Sequence, residues 1–155
     1  PPLFGMIFRP GVVERHTLEN ILETGFYSIN HINENIFKQA HQTSARYERE
    51  MSEFEATGLN PEYKNDFFSP FVEESHVQLV MEFKEKINLS INNTVLVIGE
   101  VKAVYFPEDG LQKDGFLDIE KAESITCSGL DSYHKTTRID RLSYAKPDKI
   151  ITSIL

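Results

Sequence analysis

Apolar and polar positions along the chain change period several times, and each change predicts an element. Leu3 to Phe8 is an apolar run closed by Arg9-Pro10-Gly11, which predicts a strand ended by turn residues. Leu18, Ile21 and Leu22 then recur at helical spacing behind Thr17, a side chain suited to N-capping. Gly25 stands where a left-handed cap would end that helix. Phe26 to Ile29 resumes a strand. From Asn33 to Phe54 the apolar positions Ile36, Phe37, Ala40, Tyr47, Met51 and Phe54 return mostly at steps of three and four. This predicts one long helix or two short ones; Ser52 and Glu55 have capping-box spacing, which favours a break near Ser52 and a second helix closing at Gly58. Asn60 to Pro70 predicts loop.

The strongest β pattern comes next. Val77 to Asn88 alternates, with Val77, Leu79, Met81, Phe83 and then Ile87 expected on one face, and Thr94 to Phe106 is dense in β-branched residues. Asn92-Asn93 between them predicts the turn of an antiparallel hairpin. Pro107 to Gly110 and Lys113 to Gly115 are loops, Asp118 to Ser124 a helical turn, and Ser124 to Cys127 with Tyr133 to Thr136 a last strand. The tail from Lys146 is weakly patterned. Long antiparallel strands around one early helix predict a mainly β fold. The expected shape is a small closed or partly closed barrel, which removes exposed edges, with a sandwich as the alternative.

Composition narrows the partners. A chain of 155 residues has room for one domain. Its net charge of −8, from 24 acidic and 16 basic residues with no Lys/Arg run, disfavours nucleic acid and an anionic membrane surface. No apolar stretch is long enough to span a bilayer and no secretory leader is seen, so a cytoplasmic location is expected. The glycosylation tripeptides at Asn88 and Asn92 are accordingly read as chance. Pro1-Pro2-Leu3-Phe4 opens an apolar strand at once, without an initiator methionine, and this predicts that upstream strands are missing.

Candidate chemistry is sparse. Cys127 is the single cysteine, which excludes an internal disulfide and a thiolate-pair zinc site, and its apolar-flanked setting favours an inert residue. The histidines at 16, 31, 41, 76 and 134 lack metal-ligand spacing, so no metal is expected. GxSxG, GxGxxG and Walker loops are absent. Glu48, Glu50, Glu53 and Glu55, interleaved with Arg46 and Arg49, are expected to be a solvated helix face. One cluster stands out: Arg9, then Arg15-His16-Thr17-Leu18-Glu19-Asn20 at a predicted helix start. Unpaired amides and the positive end of the helix dipole make such a turn suited to a phosphate. The alternative is an ordinary Thr cap with an arginine paired to Glu14 or Glu19.

The same cluster carries a resemblance. Pro1-Pro2-Leu3, Arg9-Pro10, Arg15 to Ile21, Glu23-Thr24-Gly25-Phe26, Asn30, Ser52 to Leu59, Pro70 to Ser75, Ile98-Gly99-Glu100-Val101, Asp114 to Asp118 and Gly129-Leu130 with Tyr133 stand in the order and spacing of the flavin reductase-like family. The resemblance runs from Pro1 to about Pro147. It implies an FMN-binding split β-barrel of Greek-key-like antiparallel strands, with a short helix after the first strand and a helical insertion around 33–58. It also implies a single domain over 1–155 lacking its N-terminal strands, and a homodimer with FMN near the subunit interface. On this resemblance Arg15 forks onto the FMN phosphate, Thr17 and the helix amides bind its other oxygens, and Arg9 and Asn20 give outer support. His16 is a lesser candidate, and Tyr133-His134 lies in a region that approaches the flavin. The implied activity passes hydride from NAD(P)H through FMN to an acceptor, with no obligatory side-chain acid or base. A non-catalytic electron relay and a dimeric scaffold that has lost its cofactor stay open as alternatives.

Overall fold

The structure is a computed structural model in which residues 1–10 and 16–155 are described. In chain order its elements are β1 (Leu3–Phe8), α1 (His16–Thr24), β2 (Phe26–Asn30), α2 (Phe37–Gln42), α3 (Glu53–Thr57), β3 (Pro61–Glu62), β4 (Phe71–Val72), β5 (Gln78–Leu89), β6 (Thr94–Tyr105), a 3-10 turn at Glu108–Gly110, β7 (Ile125–Ser128) and β8 (Ser132–Lys135). The principal sheet has the order β1-β6-β5-β2, and its neighbouring strands are antiparallel. Two small sheets, β3-β4 and β7-β8, stand beside it. These sheets do not join into a closed cylinder among the described residues, so the fold is mainly β and split.

The β5-β6 hairpin forms as its pattern predicts, but two bulges break the alternation, between Val80 and Met81 and between Phe83 and Glu85. The first inserts Lys102 into β6 and leaves β5 in phase, whereas the second inserts Lys84 into β5 and turns its later side chains to the other face. Leu79, Met81 and Phe83 therefore pack in the core, whereas Ile87 pairs with Leu96 on the opposite face rather than joining them as expected. The predicted last strand is a hairpin of its own, β7 with β8, in which Cys127 pairs with Tyr133.

The core lies between the sheet and α1. Ile21, Tyr27, Met81 and Val97 are buried, with Met6, Phe8, Leu18, Val95 and Val101 packed around them. Burial of a side chain such as Ile21 contributes about 1.5–3 kcal/mol. Tyr27 lies flat against Gly99 on β6, where a side chain at residue 99 would meet its hydroxyl. The other face of the sheet is open: Leu3 and Ile7 are half-exposed, and Leu96 and Ile98 flank them.

The helical period over 33–54 yields two short helices, α2 and α3, with turns and irregular chain over 43–52. Thr43 and Ser44 explain the gap: their hydroxyls donate to the carbonyls of Ala40 and His41 at 2.7 Å each, closing α2 by local bonds that compete with helix continuation. Ser52 does precede α3 and Gly58 ends it, yet the Ser52 side chain makes no capping hydrogen bond, so the expected capping box is not formed. The acidic residues from Glu48 to Glu55 are exposed, Glu48 and Glu50 in the turns and Glu53 and Glu55 in α3.

Candidate phosphate-binding turn and aromatic hairpin

Helix α1 holds its place through Leu18 and Ile21, one turn apart, which press into the core. Its end is set by Gly25, at φ +74°, whose amide donates to the Ile21 carbonyl at 2.9 Å. A left-handed residue closes the helix with little strain only when it lacks a Cβ. At the other end the described helix already includes His16, so Thr17 lies inside the helix rather than at the cap position expected for it. Thr17 and Asn20, three residues apart, are both exposed, and His16 is half-buried. Glu19, the acidic residue of this turn, is ion-paired with Arg49. Among the described residues, the turn therefore carries no uncompensated acid beside its positive helix end.

Arg9 is exposed and directly follows Phe8. Phe8 at the end of β1 and Leu18 in the first turn of α1 both pack against the buried cluster of the core. Arg15 lies outside the described residues.

Tyr133 and His134 belong to a second group, on β8 and α2. Neighbours on a strand face opposite ways. The Tyr133 hydroxyl sits 3.0 Å from Nδ1 of His41, and its ring centre lies 5.4 Å from that of Phe37. Partial burial, with the nearby Cys127 and Asp131, pushes the Tyr133 phenol up from its usual value. His134 turns back over its own hairpin, with Nε2 2.8 Å from the Ser128 hydroxyl and 3.2 Å from that of Ser132.

Two residues at these groups were not picked out from sequence, Arg49 and His41. Arg49 reaches α1 from the turns after α2, and no local spacing connects it to Glu19. For His41 a weak signal existed, since Phe37 and His41 share one face of a helical turn. Deeper in the fold, Nδ1 of His31 lies 2.9 Å from the Ser124 hydroxyl, and burial holds this imidazole below its usual value.

Residues 1–122 match the flavin reductase like domain family. The chain belongs to that family. A putative flavin reductase with split barrel domain from Shewanella frigidimarina is 51% identical and superposes with a TM-score of 0.89, covering 94% of this chain and 72% of that one. Nitrilotriacetate monooxygenase component B from Bacillus cereus, 23% identical, superposes at 0.78 over 92% of this chain and 72% of its own. Flavoredoxin of Desulfovibrio vulgaris, 19% identical, does so at 0.70 over 93% and 74%. These last two share the fold. An uncharacterized protein of Aquifex aeolicus is 25% identical over 121 residues, which are 78% of this chain and 61% of that curated relative. This flavin reductase-like chain has the split-barrel fold, and among its described residues no helix is long and apolar enough to cross a membrane.

Proposed function

We propose that this chain binds FMN and acts as a flavin reductase-type oxidoreductase, passing hydride from NAD(P)H through the flavin to an acceptor, in the cytoplasm and as a homodimer. One observation carries the proposal: the first turn of α1 presents Thr17 and Asn20 to solvent and its Glu19 is ion-paired with Arg49, while Arg9 is exposed just after β1. That donor set fits a phosphate dianion, since hydroxyl, amide and guanidinium groups all donate, and among the described residues of the turn the one carboxylate, Glu19, is paired with Arg49.

In this scheme Thr17 and the first amides of α1 donate to phosphate oxygens, while Arg9 and Asn20 neutralise and orient from outside. Arg15 enters on its place in the sequence alone, as the bidentate partner of the phosphate. His16 stands beside them. Tyr133 would approach the ring system, with His41 fixing its hydroxyl, while His134 lies on the opposite face of β8, held by Ser128 and Ser132. When bound, the flavin supplies the redox centre between nicotinamide and acceptor. The chain's own contribution is grip, orientation and exclusion of water, and no side-chain acid or base is assigned.

The test compares FMN with riboflavin, which lacks the phosphate. Arg15→Ala should weaken FMN by about 10–100-fold, the loss of charge-assisted hydrogen bonds, and leave riboflavin nearly unchanged. Fluorescence titration reads both. Equal loss for the two ligands would remove Arg15 from the phosphate. Failure of the FMN-loaded protein to oxidise NADH or NADPH would reduce the proposal to flavin binding without reductase activity.

A further inference from the structure

We propose that the cleft beside the end of the β5-β6 hairpin away from its turn binds a small organic cation, an alkylammonium or guanidinium compound, with one N–H group donating to the buried side-chain oxygen of Gln78. This place is remote from the proposed phosphate turn. Gln78 pairs with Tyr105 at one end of the hairpin, whereas Phe8, which precedes Arg9, pairs with Val95 at the other.

The cleft has a volume of about 460 Å³, in the range that holds small molecules. Its wall includes Glu62 and Lys64 at and after β3, Glu73 after β4, Gln78 at the start of β5, and Tyr105 and Phe106 where β6 ends.

Gln78 is the member that asks for a ligand. It is 2% exposed, and its Nε2 donates to the Val72 carbonyl at 2.7 Å and to Glu62 Oε2 at 3.4 Å. Two acceptors on that side fix which end of the amide is the nitrogen. Oε1 is then left buried, and no group among the described residues donates to it. Folded chains pair nearly all such oxygens, because an acceptor withdrawn from water and given no donor keeps the whole cost of its desolvation. The Tyr27 hydroxyl is also unpaired, but it is shut inside the core against Gly99. Gln78 Oε1 belongs to a side chain that lines a cleft, so a donor can be supplied from outside the chain.

Charge selects the kind of donor. Two carboxylates, Glu62 and Glu73, against one ammonium, Lys64, leave the wall with one excess negative charge. The wall also shows how it accepts a cation: Lys64 Nζ lies 3.0 Å from Glu62 Oε2 and 4.9 Å from the centre of the Tyr105 ring. The Lys64 stem is flexible, and it is the part of the wall that can swing aside. A ligand cation takes the place of the Lys64 ammonium on the ring and the carboxylate, and its remaining N–H reaches Oε1 behind them. An anion would meet acceptors, and a neutral alcohol would satisfy the amide oxygen alone.

Isothermal titration calorimetry of the 155-residue chain with agmatine, a guanidinium compound, tests this. The uncharged comparison is 1,4-butanediol, and circular dichroism checks folding. Agmatine should bind at a single site with a millimolar or tighter dissociation constant, and butanediol about 10-fold more weakly or worse. Gln78→Met, of similar length but without the oxygen, should weaken agmatine by about 10–100-fold. Lys64→Met keeps the stem and removes the competing ammonium; it should tighten agmatine by about 2–5-fold, a gain that a misfolded variant cannot give. Absence of heat with agmatine would overturn the site and leave water as the partner of Gln78. Undiminished binding by folded Gln78→Met would overturn the contact with Oε1. Equal binding of butanediol would overturn the selection by charge, and an unchanged affinity in Lys64→Met would overturn the displacement of Lys64.

Discussion

Gly99→Ala probes the closest approach in the core. A Cβ at residue 99 would stand 2.2 Å from the Tyr27 hydroxyl, 3.0 Å from Cζ and 3.2 Å from Cε1. The hydroxyl contact alone is far inside van der Waals distance, and the ring has little room to withdraw, since Tyr27 is 7% exposed and walled by Ile21, Met81 and Val97. Overpacking of this kind costs about 1–3 kcal/mol. For a chain of this size that is a fall of about 2–12 °C in melting temperature. The hydroxyl also has no hydrogen-bond partner among the described residues. Tyr27→Phe therefore removes a buried unpaired group and should be neutral or stabilising by itself. In the double variant it should relieve part of the Gly99→Ala penalty, with a coupling of about 0.5–3 kcal/mol. Urea unfolding of the four proteins, followed by circular dichroism, measures each corner of the cycle. A Gly99→Ala midpoint equal to wild type, or a penalty unchanged when Tyr27 is already Phe, would refute the proposed clash. The same ring has a signature in alkali. Burial raises the Tyr27 phenol above 10.0, so its contribution is intact below that pH and is lost as pH rises through the folded value. Tyr27→Phe should abolish this component of the alkaline fall in stability.

Further outcomes test other parts of the molecule. Burial lowers His31 below 6.5, so its contribution is complete above pH 6.5 and is lost as pH falls through the folded value; His31→Asn should flatten that part of the acid limb in equilibrium unfolding. Phe71 is fully buried against Phe67 and Tyr105, and Phe71→Ala should cost about 3–5 kcal/mol in the same assay. The Arg15→Ala comparison of FMN with riboflavin completes the set.

What the sequence disclosed follows from the range of the forces involved. The β5-β6 hairpin, the first strand and α1 are written in neighbouring residues: β-branched density, a turn of two asparagines, and a glycine at the helix end. Bulges are not, because an inserted residue alters no propensity, and Ile87 changes face without any change in composition. The 33–54 period misled in the opposite sense. Tyr47 and Met51 keep helical spacing, but the side chains of Thr43 and Ser44 take the carbonyls that would have carried the helix onward. The candidate site divides along the same line. Arg9, Arg15, Thr17 and Asn20 lie within one stretch of chain, and the physics of a helix start suffices to group them as an anion-binding candidate. The partners that complete the two groups are tertiary. Arg49 meets Glu19 across 30 positions and His41 meets Tyr133 across 92, so only the folded chain reveals that one pairs with the acid of the α1 first turn and the other holds a tyrosine hydroxyl. It follows that Arg49→Ala would change the charge of the proposed phosphate turn without touching any residue of the motif. FMN affinity, rather than stability, is where its removal should register.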